Sequence, residues 1–205
     1  MPFAAQHIRA ARLHLQKVDP VMKQIIKAVG PFTAKTRRDR FLSLVQSIVS
    51  QQISGAAAQT IFGRLGDALA PGAVSPESVL SLSIDQLREL GVSRPKATYL
   101  HDLAHHIQDG KIDLPKIGRL ADDQVIQSLT QVKGVGVWTA QMFMMFSLGR
   151  LDVFPAGDLG IQNAISGSYC DGGDLTSENM EAISQPWRPY STVASWYLWR
   201  SLEVE

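Results

Sequence analysis

The residues best suited to do chemistry gather around Val132-Lys133-Gly134-Val135-Gly136-Val137-Trp138-Thr139-Ala140-Gln141. Two glycines one residue apart separate two apolar patterns of helical period. Glycine accepts positive φ and lets backbone approach a neighbour closely. A turn this short can therefore aim its amides outward beside the first amides of the next helix. Such a group of N–H donors, helped by the helix dipole, suits a phosphate and is indifferent to base sequence. Tight packing of two helices explains the same glycines, and the stretch alone leaves both readings open. Asp158 stands just before Leu159-Gly160-Ile161, a good place for a helix N-cap. Trp138 and Trp199 can be core residues or cation-attracting surfaces.

Other reactive side chains carry less. His101 and His105 are spaced one helical turn apart, as zinc ligands can be, but no glutamate sits between them and no third ligand is evident. With His106 they are expected on a solvated helix face. Cys170 is the only cysteine, which excludes an internal disulfide, cysteine-rich zinc sites and a four-cysteine iron–sulfur cluster. It is expected in a loop without a nucleophile motif, and a reducing intracellular compartment is the simplest setting. Met142, Met144 and Met145 suit flexible core filling.

The elements that must position these groups are helical almost throughout. Apolar residues recur with helical period over 8–18, 21–29, 41–52, 56–69, 84–90, 96–107, 122–132, 137–148, 159–168 and 193–202. Ser83, Ser93 with Pro95, and Asp122 are start signals; Gly30, Gly91, Gly110 and Gly149 close elements. No alternating strand and no fixed repeat is visible. The expected fold is all-α, with about ten helices and short connections.

The 205 residues suffice for one large domain or two small lobes. No apolar run approaches the roughly 18 residues of a membrane span, and the N-terminus lacks the continuous apolar stretch of a secretory signal. The net charge of +1 is unevenly spread: residues 1–40 hold nine Lys or Arg against two Asp, and the remainder is acidic. The basic segment, with "TAKTRRDR", is either a solvated face or a phosphate-binding one.

"LTQVKGVGVWTAQMF" resembles the helix-hairpin-helix motif of DNA repair glycosylases, in which an aspartate follows at about the distance that separates Gly136 from Asp158 in "LDVFPAGDLGIQNAI". The resemblance is closest to the 3-methyladenine DNA glycosylase II (alkylpurine DNA glycosylase) family. It includes "FLSLVQSIVSQQISGAAA", "GVSRPKATYLHDLA" and "WRPYSTVASWYLWR", in the family's order, over most of residues 41–202.

The resemblance implies a two-lobed fold, with 1–40 and 119–205 in one helical lobe, 41–118 in a middle lobe, and a DNA cleft between them. At this length there is no room for the additional α/β domain of some members. It implies that Asp158 is the catalytic carboxylate, staying ionised beside an oxocarbenium-like sugar and orienting water, with Asp152 left to structure. Trp138 and Trp199 would wall the base pocket together with Met142, where members can carry a tyrosine. Lyase-type members have lysine, which forms a Schiff base, at the position of Trp138, so water is the expected nucleophile. Gln52, with Gln51 beside it, aligns with the wedge that fills the gap left by a flipped base. Lys133, Gly134, Val135, Gly136 and Thr139 would meet the DNA backbone. No cofactor is required; a monovalent cation held by the main-chain carbonyls of Thr130, Val132 and Val135 is possible within the family. The implied partner is double-stranded DNA with alkylated bases, met by a monomer in the cytoplasm or nucleoid. Two rivals remain open: a bifunctional glycosylase/lyase, and a hairpin protein that grips DNA or senses lesions without catalysis.

Overall fold

Helical periodicity in the sequence becomes helix nearly everywhere in the computed structural model, which describes residues 3–170 and 175–204. The order is α1 (Ala5–Val18), α2 (Pro20–Val29), α3 (Arg40–Ser50), α4 (Gly55–Ala68), α5 (Pro76–Ser81), α6 (Ile84–Glu89), α7 (Arg94–Gln108), α8 (Asp122–Leu129), α9 (Val137–Phe146), α10 (Leu159–Tyr169), α11 (Ser177–Ser184) and α12 (Ser191–Ser201). Short 3-10 turns occupy Ile117–Arg119 and Gln185–Trp187. No extended strand occurs among the described residues.

Local signals set most helix starts. Asp19, Asp39, Ser54, Ser83, Asp158 and Thr176 each accept a first-turn amide as N-caps. Ser83 and Gln86 form a reciprocal capping box. Helices α5 and α11 were not expected; each is short, so little apolar periodicity announces it. The pattern over 41–52 overruns the real helix, because Gln51 leaves it and Gln52 turns left-handed at φ +55°. The helix expected to reach 132 stops at Leu129, where the hairpin turn begins.

The chain divides into two compact units, 1–36 with 144–205, and 37–143. In the first, α2 and α10 pack on α12, with α1 alongside. Its core holds Leu15, Met22, Ile26, Ile161, Ile165, Trp187, Val193 and Tyr197. In the second, α7 is central: α3, α5 and α6 all pack against it. Leu44, Ile48, Leu87, Leu100 and Leu103 are fully buried there.

This division corrects the expected boundary at 119. The hairpin region, 119–143, belongs with the middle helices, and the boundary falls inside α9 between Phe143 and Met144. The reason is visible in the bonds described below, which fasten the hairpin to α3 and α7.

Candidate active site

The hairpin between α8 and α9 is built on a β-turn. Val135 N–H donates to the Val132 carbonyl (3.0 Å). Gly134, at the third position, has φ +77°, the conformation a type II turn asks of that residue. A Cβ added there would lie 2.1 Å from Cδ2 of Tyr99. The backbone thus rests directly on the Tyr99 ring of α7, and no side chain fits between. The neighbouring Lys133 N–H donates to Asp102 Oδ2, also on α7 (2.8 Å). With Lys133 N–H and Val135 N–H both engaged, the outward donors narrow to the amides of Gly134, Gly136 and the first turn of α9. No acidic side chain stands in that turn to compete with an anion.

The side chains of the hairpin divide sharply. Val135 and Thr139 are buried, so a part for either in meeting DNA falls to its main chain. Lys133 is exposed, its ammonium 3.9 Å from Asp102 Oδ1, a loose pair in solvent. Val137 and Trp138 begin α9 at 52% and 46% exposure. An indole so open is unusual for a residue that ordinarily goes inside. Met142, one turn along the same helix face, is half-buried.

The loop after α3 carries the two glutamines. Gln51 Nε2 donates to the Gly134 carbonyl (2.8 Å), which makes Gln51 a strut to the hairpin. Gln52 is exposed and is the one non-glycine residue with positive φ among those described. Such a conformation costs about 1–2 kcal/mol for an ordinary side chain and persists only where surroundings enforce it. Lys96 of α7 bonds residues just before Gln52: its ammonium donates to the carbonyls of Val49 (2.9 Å) and Gln51. Burial pulls the Lys96 pKa below the ordinary lysine value.

In the other unit, Asp158 N-caps α10. Its Oδ1 accepts the Ile161 N–H (2.9 Å) and the Trp199 Nε1–H (2.8 Å). The carboxylate is half-buried at the positive end of a helix, and the neighbouring Leu159 is 69% exposed. Trp199 comes from α12 and lies 6.2 Å, centroid to centroid, from Phe146. Gly160 makes room for the pair, since a Cβ there would stand 3.1 Å from both Asp158 Oδ1 and Trp199 Cδ1. The Trp199 N–H thus fixes the orientation of the Asp158 carboxylate. Asp152 instead accepts Ser191 Oγ–H (2.6 Å) and Ser191 N–H (3.3 Å) at the start of α12.

The middle unit thus carries a turn with an exposed indole after it and an exposed left-handed glutamine; the other unit carries a carboxylate held by two N–H donors. A family model for HhH-GPD superfamily base excision DNA repair proteins matches residues 45–189.

The chain belongs to the HhH-GPD superfamily of base excision DNA repair proteins.

Within that superfamily the chain is similar to DNA-3-methyladenine glycosylase 1 of Schizosaccharomyces pombe, 32% identical over 95% of this chain and 87% of that protein. It is 28% identical to the alkylbase DNA glycosidase-like protein mag2 of the same organism, over 94% and 92%. Among solved structures, DNA-3-methyladenine glycosidase of Bacillus halodurans superposes with TM-score 0.83 at 37% identity, covering 93% of each chain. The 3-methyladenine DNA glycosylase of Schizosaccharomyces pombe, solved in complex with abasic DNA, gives 0.79 at 31%, covering 93% and 95%.

Against the superfamily pattern, several supporting residues escaped sequence reasoning. Lys96, Tyr99 and Asp102 lie in "GVSRPKATYLHDLA", where the i, i+3, i+6 spacing was the available signal. His101, expected on a solvated face, bonds the Leu82 carbonyl through Nε2 (2.8 Å), and His106 Nδ1 lies 2.8 Å from the Asp102 carbonyl. No group of three metal-ligating side chains occurs among the described residues. The basic "TAKTRRDR" segment partly packs: Arg40 donates to the Leu114 and Pro115 carbonyls and Arg37 to Gln46 Oε1. Cys170 is half-buried. No helix among the described residues is long and apolar enough to cross a membrane.

Proposed function

We propose that this protein is a monofunctional DNA glycosylase of base excision repair that removes alkylated purines, the 3-methyl and 7-methyl bases, from double-stranded DNA. It acts as a monomer inside the cell. The hairpin amides and Lys133 hold backbone phosphate without reading sequence. Gln52 enters the stack as the damaged nucleotide swings out, and its amide satisfies the orphaned partner base. Trp138 and Met142 receive the flipped base. Alkylation at a ring nitrogen leaves that base cationic, and an indole face attracts a cation by roughly 0.5–2 kcal/mol.

The chemistry follows from the same charge. The N-glycosidic bond breaks with its electron pair passing to the base, which leaves as a neutral purine and needs no strong general acid. Positive charge then develops on the sugar, where the ionised Asp158 stabilises it. Water attacks C1′, and its proton passes to Asp158 or to solvent. Trp138 has no amine to attack the sugar, so no covalent adduct forms. We also propose that the carbonyls of Thr130, Val132 and Val135 can hold a monovalent cation. Main-chain oxygens in a tight turn suit a hard ion, and the Val132 carbonyl keeps a second lone pair after accepting Val135 N–H. Such an ion would add positive charge facing the phosphate.

The observation that carries this reading is the Asp158 carboxylate at the α10 N-terminus with two N–H donors on one oxygen. Release of free methylated purine from alkylated duplex DNA tests it, comparing wild type with Asp158→Asn. Wild type should release base and the variant should be slower by a factor on the order of 100–1000. Equal release by both removes Asp158 from its role, and release by neither favours a non-catalytic DNA-gripping protein. Borohydride added to abasic-site DNA should trap no adduct; a trapped adduct would establish lyase chemistry.

A further inference from the structure

Three residues on one flank of α7 hold both DNA-facing parts of their unit. Lys96 holds the loop that carries Gln52, Tyr99 seats Gly134, and Asp102 holds the Lys133 amide. Successive positions three apart drift slowly around a helix of 3.6 residues per turn, so the three side chains follow one another along that flank. Gln51 closes the circuit from the loop to the hairpin through the Gly134 carbonyl. We propose that this flank fixes the spacing between wedge and phosphate grip, with Lys96 the positioning residue that presets Gln52 before DNA arrives.

The inference rests on the wedge role given to Gln52 above and assigns Lys96 a function that role does not require. Lysine ordinarily offers its ammonium to solvent or phosphate. Here the half-buried side chain directs it to carbonyls at the end of α3, which the helix itself leaves unsatisfied. One acceptor is Gln51, the residue immediately before the left-handed Gln52. An unconstrained glutamine would prefer the right-handed or extended regions, and each flipping event would then have to order the loop. A preset wedge avoids that ordering cost at the moment of binding. Charge suits the task because an ammonium has three donors and can hold two carbonyls at once.

Lys96→Met tests this, with 2-aminopurine fluorescence beside a tetrahydrofuran abasic analogue as the flipping readout and single-turnover base release as the second. Lys96→Met should slow release and reduce the fluorescence rise about tenfold, a 1.4 kcal/mol effect. Affinity for undamaged duplex should stay within about twofold, with an unchanged salt slope. In a Gln52→Gly background the same substitution should add less than about twofold, because its effect passes through the wedge. Full additivity there would overturn the proposal. So would a loss of undamaged-duplex affinity with a salt slope lower by about one, the mark of a direct phosphate contact. Lys96→Arg keeps the charge and should recover most of the fluorescence rise; equal impairment of both variants would also overturn it, and Arg serves where Met fails to fold. Asp102→Asn should do the reverse, weakening undamaged-duplex binding with little change in fluorescence. Should wild type release no base, the proposed enzymatic function falls, while the fluorescence arm still decides the role of Lys96.

Discussion

Two aspartates in the first unit share almost the same wiring and have different surroundings. Asp19 caps α2, accepting Met22 N–H (2.8 Å), and its second oxygen accepts the indole N–H of Trp187 (2.7 Å) and the phenol of Tyr169 (2.7 Å). Asp158 caps α10 and likewise accepts an amide and an indole N–H. Asp19 is 7% exposed, within the core that contains Trp187, Met22 and Ile26. Asp158 is half-buried, beside an exposed Leu159 and a glycine. The wiring is what any buried or half-buried carboxylate needs. What separates the second is exposure, and the proposed reaction needs a carboxylate that is not sealed in the core.

The largest expected effects would break that contrast if they failed to appear. Asp158→Asn should cost on the order of 100–1000-fold in base release while moving the unfolding midpoint by less than a few degrees. Asp19→Ala should do the opposite, losing about 3 kcal/mol of stability as two buried donors and the half-buried Tyr169 hydroxyl are left without an acceptor. Thermal unfolding and single-turnover release on the same preparations check both. A large loss of stability in the first, or of per-molecule activity in the second, would erase the distinction.

Smaller substitutions sharpen it. Trp199→Phe keeps the ring on Phe146 and removes the donor to Asp158. It should lower kcat about tenfold, the scale of one hydrogen bond to a charged group, with KM little changed. In the Asp158→Asn background it should cost nothing further. Gly160→Ala brings a methyl group to 3.1 Å from the carboxylate oxygen and the indole. Release should slow about threefold to fivefold, while stability holds within about 1 kcal/mol because alanine favours helix.

The smallest effect is one of pH. Burial, then the hydrogen bond to Asp19, raises the Tyr169 pKa far above the ordinary tyrosine value. The folded state therefore holds this proton more tightly than the unfolded chain. Below about pH 10 both states are protonated and the stabilisation is fully present; above it only the unfolded chain releases the proton, and stability falls as pH rises. Tyr169→Phe should flatten the alkaline limb of stability against pH. An unchanged slope would show that Tyr169 is not a tightly held member of the Asp19 cluster.

Legibility in the sequence followed the range of the interaction. The Ser83 cap, the Asp158 cap and the turn glycine Gly134 act over three or four residues, and each could be located from residue type and spacing. The short helices α5 and α11 carry signals as well, Ser75 with Pro76 and Thr176, but too few apolar repeats to stand out. The burial of the Thr139 side chain could not be read locally, because it depends on what α9 packs against. Trp199 stood out by residue type, yet its bond to Asp158 spans 41 positions of sequence.

By itself, the sequence determined the helical class, the hairpin turn and the acid at the head of α10, because caps, glycine geometry and apolar period are local properties of the chain. Tertiary structure alone decided that the hairpin joins the middle helices, that Lys96 bonds the loop before Gln52, and which of two similarly wired aspartates stays out of the core. Those outcomes depend on burial and on hydrogen bonds between residues far apart in the chain, and no short window of sequence contains both partners.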